Sequence, residues 1–446
     1  MKNFRRIYCV IFVSIIYTCN LYAYKIISVK ELGAVGNGLV DDTKAIQNAI
    51  NLGNIIYFPN GEYLISSELL ISSSKTLSGE NVVVKANKEI TMMRAEGERI
   101  ILKGISFDGS GKAIHGLIAD SNCKKLIVTN CTFHGFYGNK NDQANGIYCA
   151  SGNRAIKIRD CDFYDIDAPL NGKIGDVYGS CQGILIARVH RCVIENCSFR
   201  DVKSIEDGDC IQVFGGQDIN GKWLSSPSTI KNCVFTNIYH RAIKLQAADC
   251  HINNCSVDAD STRRPTTAYA IFGENSTVKN SVAFLDYGVH AITITGDHCK
   301  LSGCRLFVDV DKKYQTELTQ LRSDVVYCTG ENCIISNNTI KGGYIGFYSP
   351  NLKNGLVIKK NVFQESYVRN IRLYDNEACS AIIKNNIFNG NIKTIDFTGG
   401  RFLKIINNQM NNSDSYICVL GNSFDGRISH NYTKNGKEVP FVFNND

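Results

Sequence analysis

The chain has 446 residues, of which 44% are hydrophobic and 20% charged, with only 6 prolines. That composition excludes extended disorder, and a formal net charge of +7 is too mild to mark a nucleic-acid binder. Length alone would divide the chain among two or three domains, but a repeat that grows along one axis escapes that division.

Residues 1–23 read as a secretory signal. Lys2, Arg5 and Arg6 form a basic start, "IYCVIFVSII" an apolar core, and "LYA" a cleavage site ending at Ala23. The apolar run is short for a membrane span. The expected product is secreted or periplasmic and free of the membrane once the signal is cut. Of 49 basic residues, 46 remain against 42 acidic ones, a balance of +4. Residues 24–446 then form one domain.

The next stretch, "VKELGAVGNGLVDDTKAIQNAI", predicts a short helix. Asp42 is placed to cap a helix starting at Thr43. Ala45, Ile46, Ala49 and Ile50 give it an apolar face, and Gly53 ends it. Two strands around "PNGE" follow. A solenoid needs a cover over its first coil, and this helix is suited to provide it.

From residue 126 one phrase recurs: alternating apolar residues, then Cys or Asn, then an apolar residue two positions on. It reads "LIVTNCTF", "IKIRDCDF", "CVIENCSF", "STIKNCVF" and "CHINNCSV", and later "LVIKKNVF", "AIIKNNIF" and "LKIINNQM". The aligned column is Cys131, Cys161, Cys197, Cys233, Cys255, Ser281, Cys304, Asn338, Asn361, Asn386, Asn408 and Asn431. Its later spacings are 23, 25, 22 and 23 residues. Short alternating runs at such a period predict stacked coils of parallel strands. The fold class is therefore all-β: a single right-handed parallel β-helix with a short N-terminal capping helix. Asn at the aligned position can form a side-chain amide ladder, and Cys packs as a small hydrophobe. The cysteines are thus expected to pack rather than to form a disulfide framework. No C-x-x-C pair with histidine partners suggests a metal site, and the sequons at Asn130, Asn196 and Asn254 fall inside the repeat.

Each phrase is followed by a second strand: "NGIYCASGN", "QGILIARVH", "DCIQVFGG", "RAIKLQAAD", "AYAIFGENS", "HAITITGDH" and "DVVYCTGEN". The early coils carry long insertions before it, namely "HGFYGNKNDQA", "YDIDAPLNGKIGDVYGS", "DADSTRRPTT" and "DVDKKYQTELTQLRSD". Another insertion, "GGQDINGKWLSSPS", follows the strand of Asp209 and holds Trp223, the only tryptophan. Long loops on a regular solenoid mark function, here a groove over the second strands. Aligned on their small residue, these strands place Gln182, Asp209, Arg241, Tyr269 and His290 in one column. Gln212, Lys244 and Thr293 form another, and Asp207 and His240 stand at the entering turns.

The N-terminal motifs "LGAVGNG", "DDT", "KAIQNAI" and "YFPNGEY" resemble the signature of the pectate-lyase-like superfamily. That superfamily includes rhamnogalacturonase-like and epimerase-like enzymes and phage tailspikes. The resemblance covers about 50 residues closely, and the coils carry it on in general form. It implies a right-handed parallel β-helix acting on polysaccharides by hydrolysis, β-elimination or epimerisation, and the fold does not choose among them. A monomer is expected, with the trimer of tailspikes as the alternative.

"GDCIQV" is similar to a polygalacturonase strand, and "RAIKL" is distantly similar to the one after it. The resemblance implies Asp209 as general acid, with Arg241 and Lys244 holding a uronate carboxylate. Two departures stand out: Gln182 replaces an aspartate, and no Gly-His-Gly strand follows. Inverting hydrolysis needs a second carboxylate, for which Asp207 is the candidate. Elimination needs a base at the uronate C5 proton and cations on its carboxylate. Lys244 would be that base, and Asp207 with Asp209 could then hold Ca²⁺, whereas hydrolysis requires no cofactor. Gln212, His240, Tyr269, His290 and Trp223 are further candidates for sugar contact. The expectation leans to hydrolysis of an acidic polysaccharide, with a lyase or epimerase next and a non-catalytic carbohydrate-binding protein as the third reading. The bland reading of Asp209 is an ordinary ion pair between stacked strands.

Overall fold

The computed structural model describes residues 25–139, 141–168, 180–203, 208–259, 265–286, 289–309, 323–374, 379–391, 393–398, 402–420 and 426–444. Within them the chain winds as a parallel β-helix. One sheet of 30 strands carries the repeated phrases, and a second of 15 strands carries the strands that follow them. Every ladder is parallel and joins a coil to the next, as in Phe163↔Phe199 and Phe199↔Phe235.

The repeat is a packing device. Inward phenylalanines stack face to face from Phe107 through Phe133, Phe163 and Phe199 to Phe235, with centroids 4.9–5.3 Å apart. That spacing matches the distance between hydrogen-bonded strands. The expected amide ladder is present. Asn338 donates to Asn361, Asn361 to Asn386, Asn386 to Asn408 and Asn408 to Asn431, at 2.9–3.1 Å. Each of these side chains also donates to a carbonyl, such as Ile335 for Asn361 and Ile358 for Asn386. All 17 described cysteines are buried and none of them forms a disulfide, so thiols, with Ser281, fill the column where asparagine does not. The residue before the column turns the chain with a left-handed backbone, at φ of 51–56° in Asn130, Asn196, Asn254 and Asn385. Asparagine tolerates that conformation better than most residues. On the outside its amides form another ladder, Asn254 to Asn232 to Asn196 to Asp160. The sequons are therefore parts of the turn.

At the N-terminal end a helix spans Thr43–Leu52, with Ile46, Ala49 and Ile50 buried. It packs against Leu69–Ile71 and Val29–Leu32, so the covering helix is where it was expected. Its start is corrected. Asp42 occupies the cap position, but its carboxylate accepts from the backbone N–H of Val35 and Gly36 at 2.6 and 3.0 Å. Asp41 instead accepts from the Thr43 N–H at 3.0 Å. Gly53 ends the helix with an extended rather than a left-handed backbone.

Candidate active site

The 15-stranded sheet positions the candidate residues. Its register runs Gln182↔Asp209↔Arg241↔Thr267↔His290 in one column. A second column runs Leu185↔Gln212↔Lys244↔Ala270↔Thr293↔Tyr327. Between the columns stands the small residue of each strand, and packing explains its size. A Cβ on Gly183 would lie 2.6 Å from the Cys210 carbonyl oxygen and 2.9 Å from the Phe199 ring. The pairing skips this residue, so the side chains before it and two places after it meet on one face.

They meet around Asp209, which is fully buried. Arg241 Nη1 donates to its Oδ1 at 3.1 Å, Lys244 Nζ lies 3.7 Å from Oδ2, and His240 Nδ1 lies 4.0 Å from Oδ1. Arg241 and His240 keep 16% and 15% of their side chains exposed, and Lys244 7%. The carboxylate is thus beneath its cations, and the cations face the groove. Such an arrangement orients Arg241 and Lys244. Gln212 donates to Gln246 at 2.8 Å on the same face. Beside it is a cavity of about 370 Å³ lined by Tyr148, Gln182, Arg188, Gln212 and Phe214.

Other expectations are placed differently. Tyr269 is corrected from a groove residue to a core residue. Its register partner is Ile243, it is fully buried, and its hydroxyl donates to the carbonyls of Cys255 and Val282 at 3.2 and 2.9 Å. Thr267 takes its place in the column. Trp223 packs edge-on against Phe214 at 5.8 Å. It lines a separate cavity of about 490 Å³ with Phe272, Glu274, Asp297 and His298. His290 lies on the expected face, hydrogen-bonds the Asp324 carbonyl through Nδ1 at 2.8 Å, and tilts against Tyr327 at 5.2 Å. Asp207 lies outside the described residues, as do most of the insertions between Ala168 and Ser180, Ala259 and Pro265, and Asp309 and Ser323.

Two groups were missed. Asp167 carries a carboxyl whose pKa is pushed up by burial; its position at the end of a repeat strand gave no signal. The other is a second buried carboxylate on the same sheet. Asp396 pairs with Arg369, with Arg372 Nε at 3.8 Å and Lys393 Nζ at 3.7 Å. Short loops in that half of the chain concealed it. Among the described residues no group of three or more His, Cys, Asp or Glu side chains gathers to hold a metal ion. Nor is any helix there long and apolar enough to cross a membrane.

The family model for rhamnogalacturonase A/epimerase, pectate lyase-like proteins matches residues 26–261, just over half of the chain. The chain belongs to this family. Among curated relatives, alginate lyase 7 of Azotobacter vinelandii is 30% identical over 129 residues, which is 27% of this chain and 14% of that protein. Plasmin and fibronectin-binding protein A of Streptococcus pneumoniae is 26% identical over 219 residues, 46% of this chain and 25% of that protein. The family member described here therefore spans a quarter or less of the length of either relative. The solved tailspike protein of an E. coli bacteriophage, in complex with a pentasaccharide, aligns over 94% of this chain and 78% of its own. Its sequence is 12% identical and the TM-score is 0.50, a likeness of fold.

Proposed function

We propose that this chain is an exported enzyme that cleaves a uronate-containing polysaccharide by β-elimination. The observation that supports this most is the burial of Asp209 beneath Arg241 and Lys244. A general acid must reach the glycosidic oxygen, and a fully buried carboxylate under two cations is badly placed for that. The same geometry suits a carboxylate clamp. Arg241 and Lys244 neutralise the uronate carboxylate and stabilise the charge that develops when its C5 proton leaves. His240, whose imidazole stands beside the clamp with Nδ1 4.0 Å from Asp209, takes that proton. The C5–H electron pair forms the C4–C5 double bond, the C4–O bond breaks, and the leaving oxygen receives a proton from solvent water. Asp209 holds the clamp in place. Delivering a proton to the opposite face of C5 instead would give epimerisation, the activity named beside rhamnogalacturonase in the family description.

Ca²⁺ does not fit the residues described around Asp209. Nitrogen cations stand 3.1 and 3.7 Å from its oxygens, where a hard cation would need oxygen ligands. Chelation is expected to leave turnover unchanged. The assignment is tested by substitution and kinetics on polygalacturonate and alginate. His240→Ala should lower kcat by about 10²–10⁴-fold with substrate binding retained. Arg241→Gln should lower kcat and raise KM together. Full activity in His240→Ala would remove it from the mechanism. Binding of these polymers with no turnover in the unaltered protein would make the chain a carbohydrate-binding protein.

A further inference from the structure

The first strands of the coils form a face of their own within the 30-stranded sheet. Thirteen of them pair in unbroken succession, from residues 99–103 to Arg427–Ser429. Alternate residues point into the core, as Leu356 and Ile358 do, and those between them, such as Val357 and Lys359, face outward. The outward places hold twelve lysines and arginines and a single carboxylate, Glu195. A balance of 46 basic to 42 acidic side chains over residues 24–446 does not predict such a face. Glu195 is itself held between Lys157 at 3.2 Å and Lys231 at 2.7 Å. Farther along, Lys279, Lys300, Lys359, Lys384, Lys404 and Arg427 have no ion-pair partner among the described residues. Four of these stand directly opposite one another on adjacent strands, as Lys359↔Lys384 and Lys404↔Arg427. Like charges in that position repel, so they do not serve the stability of the fold.

Apolar side chains share the face. Val357, Ile382 and Phe402 each stand two residues before one of these lysines, and Phe402 is 55% exposed. A hollow of about 320 Å³ is lined by Leu356, Val357, Ile382, Phe402 and Lys404. Another of about 280 Å³ is lined by Leu126, Ile127, Ile156 and Val193 with Lys125 and Lys157. Each hollow joins aliphatic side chains to lysine. The face runs roughly 58 Å at about 4.8 Å per strand, too long for one small anion to neutralise. We propose that it docks the protein on an anionic lipid surface. The lysines and arginines meet the headgroup phosphates, and the apolar residues between them enter the boundary with the acyl chains. Lysine suits this place, because its stem lies along apolar surface while its ammonium stays at the polar edge. A soluble polyanion would match the charges and leave the apolar hollows uncovered, whereas a lipid surface matches both. The association is peripheral and involves no span. The Asp209 cluster stands on the other sheet, so docking does not depend on its chemistry.

The test is co-sedimentation of the purified protein with vesicles of phosphatidylcholine alone and of phosphatidylcholine mixed with phosphatidylglycerol. Partitioning onto the mixed vesicles should be higher by about tenfold or more, and should fall as salt is raised. Replacing three lysines together, Lys359→Gln, Lys384→Gln and Lys404→Gln, should lower it by about tenfold. Phe402→Ser should lower it several-fold and leave the salt dependence in place. These side chains point outward and the lysines repel one another, so both variants should fold, and melting temperature checks that they do. Equal partitioning onto the two kinds of vesicle would overturn the docking face. So would undiminished partitioning of the folded triple variant. Binding to soluble dextran sulfate with none to the mixed vesicles would also overturn it, and would make the partner a hydrophilic polyanion.

Discussion

Asp209 shows how a residue's burial redirects its role. Its neighbours were legible because Asp209, Arg241 and Lys244 stand at equivalent places around the small residue in "GDCIQV" and "RAIKL", and the register unites them. Its depth was not legible, since a polar residue at the start of a strand reads the same whether it faces solvent or lies under its partners. The difference has a thermodynamic consequence. Removing one partner of a buried ion cluster leaves the others uncompensated and costs about 3–5 kcal/mol. Asp209→Ala should therefore lower unfolding stability by about that amount in urea titration, along with activity. A stability loss within experimental error would place Asp209 at the groove surface, as an acid would be. Tyr269 was misplaced for a local reason. "TTAYAI" offers two alanines two residues apart, and aligning on Ala270 rather than Ala268 turned an inward ring outward.

Among the elements, the stacked columns were the most readable feature, because the same side chain recurs at the same point of each coil. The asparagine half is held by directed bonds and the cysteine half by packing. Asn386→Leu removes a donor to the Ile358 carbonyl and the acceptor of the Asn361 amide. Leaving such groups unpaired in the interior costs about 1–3 kcal/mol each, so a comparable loss is expected in urea unfolding. Cys233→Ala, which deletes one sulfur from a packed column, should cost no more than about 1–2 kcal/mol. Equal losses would mean that the ladder's hydrogen bonds add nothing beyond volume. The capping helix was legible from its apolar face, and the cap itself was not. Two adjacent aspartates compete for one position, and only the backbone of the "GAVG" turn decides that Asp42 holds the turn.

For the whole molecule, the thiols that burial keeps protonated, Cys123, Cys131, Cys149, Cys181 and Cys210 among them, make alkaline pH a shared liability. Burial pushes the Cys123 thiol up to about 11 and the Cys131 thiol up to about 12. Cys149, Cys181 and Cys210 are raised well above the usual range for the same reason. A raised pKa means that the folded state keeps protons the unfolded chain gives up above about pH 8.5. Stability is then fully present below that pH and declines as pH rises through the folded values. Melting temperature should stay level from pH 6 to 8 and fall progressively above pH 9, and a thiol reagent should find these groups only after unfolding. The elimination chemistry is tested most directly by comparing two products of one reaction. Polygalacturonate and alginate are incubated with the protein, and unsaturated uronate absorbance is counted against new reducing ends. One unsaturated end should appear for each reducing end, with or without chelator; reducing ends without unsaturation would rule out elimination.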